Sequence, residues 1–314
     1  MPTDRTHPLR VGFLGPLGTF TEQALLTQPD LAAGELVPFR TMPEVLAAVD
    51  AGDVELGFVA IENSIEGTVN LSQDALAFTH DLLIQREVVL DIQLCLLAPR
   101  GTTLADVKIV HSIPVATGQC SRFLRGRPDI EVRNANSTAE AARLVGEEQT
   151  VGMAAIAPMI AASIYDLHVI AANISDAEGN QTRFVVVARD GVPAPSGHDK
   201  TSLVVYQRAN EPGSLISILQ EFAARRINLT RLESRPTKAG VLGDYCFIID
   251  LEGHIADELV ADCLRDLHAK QGNVKYLGSY PAAGEAAPAA REHADARWRL
   301  ADDWVAELRR RISS

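Results

Sequence analysis

LRVGFLGPLGTFTEQA, residues 9–24, runs from an apolar segment through a glycine and proline turn into a helix start, and that step sets the fold class. Leu9 to Leu14 reads as a buried strand. Gly15-Pro16-Leu17-Gly18 turns the chain, and Thr19 with Glu22 three residues on has the spacing of a capping box. A helix N-terminus after a glycine turn presents backbone N–H groups and the positive end of the helix dipole, so the stretch can seat a phosphate or carboxylate. A capped helix after a tight turn accounts for the same letters without a ligand. Glycines at 12, 15 and 18 are spaced G-x-x-G-x-x-G rather than G-x-G-x-x-G, which excludes the dinucleotide fingerprint.

The same step recurs downstream. Thr41 with Glu44 and Ser137 with Glu140 repeat the cap spacing, and Val45, Leu46 and Val49 form a helix face before Gly52. Leu56 to Ile61 is a buried strand ending in Glu62-Asn63-Ser64-Ile65-Glu66-Gly67. Polar groups at the end of a parallel strand are where open α/β sheets hold ligands, and they equally suit a polar turn feeding a helix at Ser72 to Ala77. Leu82 to Ala98 holds two apolar runs around Asp91, the first a strand crossing to a second lobe. Strands at Ile109-Val110, Ile130 to Arg133 and Val151 to Ile156 then alternate with helices near Pro114 to Cys120, from Ser137 to Val145, and over Met159 to Tyr165. This alternation predicts a mainly parallel α/β unit. His111, the one histidine near a motif, is given a structural role.

Ile174 to Val187, ISDAEGNQTRFVVV, passes from a polar turn into a β-branched strand at Val185 to Val187. Thr182 and Arg183 thus stand where a rigid element meets a loop. In a regular strand they point to opposite faces, so one site holds both only if the strand begins irregularly there. Gly191 to Lys200 is rich in proline and glycine and marks a domain boundary. Beyond it lie a strand at Ser202 to Gln207, a turn at Asn210 to Gly213 and a helix at Ser214 to Arg225. Strands at Asn228 to Ser234 and Tyr245 to Leu251, a helix at Ala256 to Ala269 and a strand at Val274 to Gly278 complete a ferredoxin-like βαββαβ unit. Pro281 to Ala290 reads as a linker, and Trp298, Ala301, Val305, Leu308 and Ile312 as one stripe of an amphipathic docking or oligomer helix.

With 314 residues, 46% hydrophobic and 22% charged, the composition is that of a globular protein of two or more units. Lys and Arg number 29 against 41 Asp and Glu, a net charge of −12, which argues against a nucleic-acid surface. An anionic substrate then requires a locally positive pocket. Cys95, Cys120, Cys246 and Cys263 are far apart without a C-x-x-C pair, as expected of reduced thiols in a cytoplasmic protein. MPTDRTHPLR lacks the apolar run of a signal peptide, and no stretch approaches a membrane span.

Taken together in order, seven stretches resemble the prephenate dehydratase family from about Leu9 to Pro281. They are GPLGTFTEQA at 15–24, IENSIEGTV at 61–69, Pro114-x-Ala116-x-x-Gln119-Cys120, STAEAA at 137–142, Asn180-x-Thr182-Arg183-Phe184, Pro212-Gly213-Ser214-Leu215 and Glu233-Ser234-Arg235-Pro236. The resemblance implies a catalytic domain over 9–190 made of two α/β lobes like a type 2 periplasmic binding protein. Lobe 1 would take about 9–85 and 175–190 and lobe 2 about 86–174. An ACT regulatory domain would follow over 200–281, with a linker and helix over 282–314. Ala60 and Ile113 depart from the family, which usually has proline before Ile-Glu-Asn and histidine before Pro114. Ser214-Leu215-Ile216 departs from the usual Ala-Leu-Val.

What the resemblance implies for function is cofactor-free, metal-free conversion of prephenate to phenylpyruvate, regulated by phenylalanine, in a homodimer or homotetramer without nucleic-acid or membrane partners. Asn180, Thr182, Arg183 and Phe184 would be catalytic, with the essential hydroxyl at Thr182. Thr19, Phe20, Glu62, Asn63, Ser64, Gly67, Ser137 and Thr138 would bind substrate. Pro212, Gly213, Ser214, Leu215, Asn228, Leu229, Glu233, Ser234, Arg235 and Pro236 would bind the effector. Arogenate dehydratase, with an aminated side chain on the substrate, and a non-catalytic amino-acid sensor on the same fold are the alternatives.

Overall fold

All three cap signals form helices in the computed structural model, which describes residues 8–207, 211–237, 244–284 and 303–311. Thr19, Thr41 and Ser137 each accept the N–H of the glutamate three residues on and open the helices Phe20–Leu26, Met42–Ala51 and Thr138–Glu148. In each case the glutamate side chain reaches back to the N–H one residue before the cap, at Gly18, Arg40 and Asn136. One orphan donor of each helix start, and the N–H just before its cap, are thereby satisfied. Gly52 closes the second of these helices at φ 82°, a left-handed conformation that glycine adopts without strain.

The chain divides into two units, one of residues up to Ala75 with Val88–Ala188, the other of Leu76–Glu87 with the chain from Arg189 on. Two sheets form the first unit. One runs Glu35–Phe39, Arg10–Leu14, Leu56–Asn63, Gln181–Ala188, Leu83–Asp91, with Gly67–Thr68 paired to Leu56–Asn63 off this path. The other runs Leu167–Ala171, Leu94–Pro99, Met153–Pro158, Ile109–Ser112, Glu131–Asn134. Both are mixed rather than mainly parallel, chiefly because of the strands that cross between them. Leu94–Pro99, which enters the second sheet from the first, lies antiparallel to both neighbours, and Gln181–Ala188, which returns, lies antiparallel to Leu56–Asn63, as does the short Gly67–Thr68, while Arg10–Leu14 and Ile109–Ser112 each pair in parallel with both neighbours. This doubled topology is the two-lobed arrangement of type 2 periplasmic binding proteins. Leu167–Ala171 escaped the sequence pattern because it is a bulged, half-buried edge strand, and Asp166 at φ 49° makes the turn before it where no glycine marks one.

Each lobe buries its own core. Val11, Phe13, Leu25, Phe58, Phe184 and Val186 fill the first, and alanine-rich packing around Val145, Ala155 and Ala161 fills one face of the second. Among the described residues no helix is long and apolar enough to cross a membrane.

In the second unit the antiparallel order is Leu229–Pro236, Tyr245–Glu252, Asp199–Tyr206, Asn273–Pro281, the ferredoxin-like order of a βαββαβ chain. Helices Ser214–Ala224 and Glu258–Lys270 cover it through Ile218, Phe222, Val260, Cys263 and Leu267. Leu76–Glu87 belongs here because it is held by side chains of this sheet. Lys275 donates to the carbonyls of Leu76 and His80, and Lys200 grips both oxygens of buried Glu87 at 2.9–3.0 Å. The described part of the C-terminal helix covers 303–310 and exposes Trp304 and Leu308, with Val305 half-buried. Asn210, most of the 281–290 linker, Trp298, Ala301 and Ile312 lie outside the described residues.

Gly146, inside Thr138–Glu148, tests the packing of the second lobe. Glycine in a helix interior costs about 1 kcal/mol relative to alanine, so Gly146→Ala would ordinarily stabilise. Here the added Cβ would lie 2.5 Å from the backbone oxygen of Tyr165 and 2.9 Å from its Cβ. Overpacking against backbone typically costs about 1–3 kcal/mol and should win. Gly146→Ala is expected to lower the melting temperature by several degrees in a thermal scan; a rise would show that the Tyr165 segment yields.

Candidate active site

Two strands far apart in sequence build the site. Leu56–Asn63 and Gln181–Ala188 pair with Thr182 opposite Asn63, Arg183 opposite Glu62 and Phe184 opposite Ala60. The register shifts between Arg183 and Phe184 and leaves Ile61 as the extra residue of a β-bulge. The sequence places the strand at Val185 and lets one site hold both Thr182 and Arg183 only if it begins irregularly there. The strand begins at Gln181, because ladder pairing extends it past the apolar run into the polar residues, and the extra residue lies in the facing strand.

Asn63 is the hub. Its side-chain oxygen accepts the backbone N–H groups of Ile65 and Glu66, both at 2.9 Å, and this fixes which end of the amide is which. Its Nδ2 therefore faces Asn180 Oδ1 at 2.8 Å, Thr182 Oγ1 at 2.9 Å and the Gln181 carbonyl at 3.1 Å, three acceptors for two protons. The Thr182 hydroxyl thus accepts, and its own proton meets no acceptor among the described residues. Ser64 Oγ accepts the Gln181 N–H at 2.9 Å and donates to the Gly179 carbonyl at 3.3 Å. Gln181 Nε2 donates to Asp91 at 2.8 Å, and Ile92 N–H donates to the Asn180 carbonyl at 2.7 Å. Asn180, Thr182 and Arg183 are all buried, at 3%, 9% and 8% exposure.

The chain of amides continues into the second lobe. Asn180 Nδ2 donates to Gln119 Oε1 at 3.2 Å, and Gln119 Nε2 donates to Glu66 at 2.9 Å. Gln119 ends the helix Pro114–Gln119, and Glu66 lies in the turn after Asn63. Neither residue carries a functional signal of its own in the sequence. Both stand in recognisable motifs, but a hydrogen bond spanning 53 positions leaves no local signal.

The remaining candidates take other places. Arg183 Nη1 lies 3.4 Å from Glu62 Oε2, so the guanidinium is held by a carboxylate of the facing strand. Phe184 stacks on Phe58 at 5.2 Å and 13°, inside the first lobe's core rather than in the polar cluster. Gly67, at φ 80°, pairs opposite Asn63 with open space where a Cβ would stand. At the helix starts, Thr19 Oγ1 accepts the Glu22 N–H at 3.2 Å and Ser137 Oγ the Glu140 N–H at 2.9 Å. Glu22 and Glu140 bring carboxylates to the same positive ends that an anionic ligand would seek. The first-turn N–H groups of Phe20, Thr21, Thr138 and Ala139 are the donors that remain. Phe20 itself packs against the apolar cluster of the second lobe, and among the described residues Thr19, Phe20, Ser137 and Thr138 make no hydrogen bond to the Asn63 cluster. In the second unit Gly213, at φ 91°, leads into Ser214–Ala224, and Leu229–Pro236, just after Asn228, follows as an edge strand with Arg231 and Glu233 paired at 2.7 Å.

A family model described as "Prephenate dehydratase" matches residues 11–192, and one described as "ACT domain" matches residues 201–269. The chain belongs to the prephenate dehydratase family. The prephenate dehydratase of Mycobacterium marinum is 40% identical over 297 residues, covering 89% of this chain and 92% of the relative. The crystal structure of a prephenate dehydratase from Arthrobacter aurescens in complex with L-Phe has 38% identity and a TM-score of 0.87, covering 96% of this chain and all of that one. A structure described as a quorum-quenching acylase has 29% identity and a TM-score of 0.77, covering 87% of this chain and 98% of its own.

Two departures from the prephenate dehydratase pattern have a structural setting. Ala60 stands at the bulge, where the interrupted ladder would also suit a residue lacking an N–H. Ile113 precedes Pro114 as a helix cap without a side-chain hydrogen bond. His111, two residues earlier, is 8% exposed, and neither ring nitrogen has a hydrogen-bond partner among the described residues. Burial first, then Arg133, holds its pKa below the ordinary 6.5, with Glu148 and Glu131 opposing. A proton is therefore taken up more readily by the unfolded chain, so stability should fall as pH drops below about 6.5. His111→Met should remove that loss and raise the melting temperature more at pH 5 than at pH 8; an equal change at both would show that the ring does not titrate on unfolding.

Proposed function

We propose that the chain is a carbon–oxygen lyase that converts prephenate to phenylpyruvate, carbon dioxide and water, with Thr182 as the residue that assists the leaving hydroxyl. The bond from the ring to its carboxylate breaks, its electron pair enters the ring, and the C–O bond at the opposite ring carbon breaks as the ring becomes aromatic. Hydroxide leaves and is protonated to water. Aromatisation drives the step, so the protein's task is to orient a dianion and stabilise charge on the departing oxygen.

The observation that carries this reading is the state of the Thr182 hydroxyl. Asn63 occupies it as an acceptor, and the hydroxyl's own proton has no acceptor among the described residues. A threonine hydroxyl is too weak an acid to give up that proton alone, so it donates a hydrogen bond and the net proton comes from solvent. Asn180 and Asn63 hold it in place, Arg183 and the free first-turn N–H groups at Phe20 and Thr138 are the donors for the carboxylates, and Glu62 sets the guanidinium. Acyl-group cleavage, the activity named for one structural relative, finds less support. Ser64, the serine of the cluster, donates to a backbone carbonyl rather than to a base.

In the same reading, residues 9–190 are catalytic and 200–281 form a regulatory domain that binds free phenylalanine at Pro212 to Leu215, Asn228-Leu229 and Glu233 to Pro236. The edge strand Leu229–Pro236 leaves one side open to a second copy, which supports a homo-oligomer with the effector at the subunit interface. Four free, buried cysteines suit the reducing cytoplasm, with the Cys120 and Cys263 thiols pushed up to about 12 chiefly by burial.

Purified protein given prephenate should release phenylpyruvate. General-acid assistance is typically worth about 10²–10⁴-fold, so Thr182→Ala should lower kcat by that order with a smaller change in KM, and Thr182→Ser should retain much of it. Phenylalanine formed from arogenate instead would move the substrate assignment, and no turnover of either by folded protein would favour a binding protein. Added phenylalanine should change the rate or the prephenate dependence; indifference at every concentration would remove the regulatory reading.

A further inference from the structure

We infer that Glu66 is a positioning residue for this reaction, acting through Gln119 on the amides that hold Thr182; the inference rests on the dehydratase reading above. A carboxylate can only accept, so Gln119 must turn Nε2 toward Glu66, at 2.9 Å. Its Oε1 is then presented to Asn180 Nδ2, at 3.2 Å, and Asn180 in turn presents Oδ1 to Asn63 Nδ2, at 2.8 Å. Asn63 is already oriented at its other end by the N–H groups of Ile65 and Glu66. Every amide between Glu66 and Thr182 thus has one allowed orientation, and all agree.

Reversing Gln119 would set its Nε2 against Asn180 Nδ2, donor against donor. Asn180 would lose its second-lobe anchor or flip, and a flipped Asn180 would offer Asn63 a donor where it needs an acceptor. Glu66 prevents this from the first lobe while Gln119 stands on the second, so the bond also holds together the two halves of the site. Glu66 is exposed and lies outside the hydrophobic core, so its replacement should leave folding intact.

The test is steady-state dehydration of prephenate by wild type, Glu66→Ala, Glu66→Gln, Gln119→Glu and the swap E66Q/Q119E, with melting temperatures as a control on folding. Losing one orienting hydrogen bond should lower kcat about three- to tenfold in Glu66→Ala with KM within about twofold. Glu66→Gln keeps an acceptor but no longer forbids the reversed amide, so it should fall between wild type and Glu66→Ala. Gln119→Glu sets two carboxylates together and should lose about tenfold or more. The swap restores a donor facing an acceptor, still leaves an oxygen for Asn180, and should recover most of that loss. If Glu66→Gln falls as far as Glu66→Ala, or the swap recovers nothing, or only KM moves, the inference is overturned while the dehydratase reading stands. Absence of wild-type turnover would remove that reading and, with it, this role.

Discussion

The antiparallel pairing of Leu56–Asn63 with Gln181–Ala188 is the constraint on which the site depends. Thr182 and Asn63 are 119 positions apart, and the second lobe lies between them in the chain. Loop closure over that length carries an entropic cost that grows slowly with length, offset by the ladder and by burial of the returning strand. Phe184 stacked on Phe58 contributes about 0.5–1.5 kcal/mol beyond burial and lies on the same strand as Thr182. Phe184 thereby helps to fix the register that sets Thr182 opposite Asn63. A slip of one residue would turn Thr182 away from Asn63 and bring Arg183 to it.

The bulge at Ile61 lets this rigid pairing carry a site. On a regular ladder the pairs Arg183 with Glu62 and Phe184 with Ala60 could not both hold, because the facing strand has one residue too many. Inserting it beside Phe184 keeps the core pair on one side of the irregularity and the polar pairs on the other. Beyond that point the groups bond laterally, from Asn63 to Asn180 to Gln119, and the amide chain passes from the first sheet's end to a helix of the second lobe.

Much of this was legible in the letters because the signals were local. Thr19 with Glu22, Thr41 with Glu44 and Ser137 with Glu140 are pairs three residues apart whose physics needs nothing else, and each formed its cap. The βαββαβ order of the second unit followed from apolar runs separated by turns. What escaped was non-local. Parallel alternation hid the two reversed crossing strands, since strand direction depends on where the chain has come from. Leu167–Ala171 was missed because edge exposure blurs its pattern. Gln119 and Glu66 each look unremarkable until a fold brings together positions separated by 53 residues. Phe184 was visible as part of a motif, but its place in the core was not, since a sequence does not show on which side of a bulge a ring will fall.

The helix starts raise a question of charge that the capping boxes help to answer. A protein of net charge −12 binding a dianion is expected to concentrate positive potential at its site, yet Glu22 and Glu140 already occupy two helix N-termini, and Glu62 pairs with Arg183. This would be poor design for tight binding of substrate. It is better suited to a reaction in which one carboxylate must depart as a neutral gas. Each increment of binding to that carboxylate in the ground state is lost in the transition state and deepens the well from which the reaction climbs. In the proposed mechanism, dipoles partly satisfied by internal carboxylates attract a substrate carboxylate weakly, whereas a hydrogen bond from Thr182 is most useful once charge has developed on the leaving oxygen. In that mechanism these weakened dipoles face the carboxylate whose charge is given up, and the Thr182 hydroxyl serves the leaving oxygen.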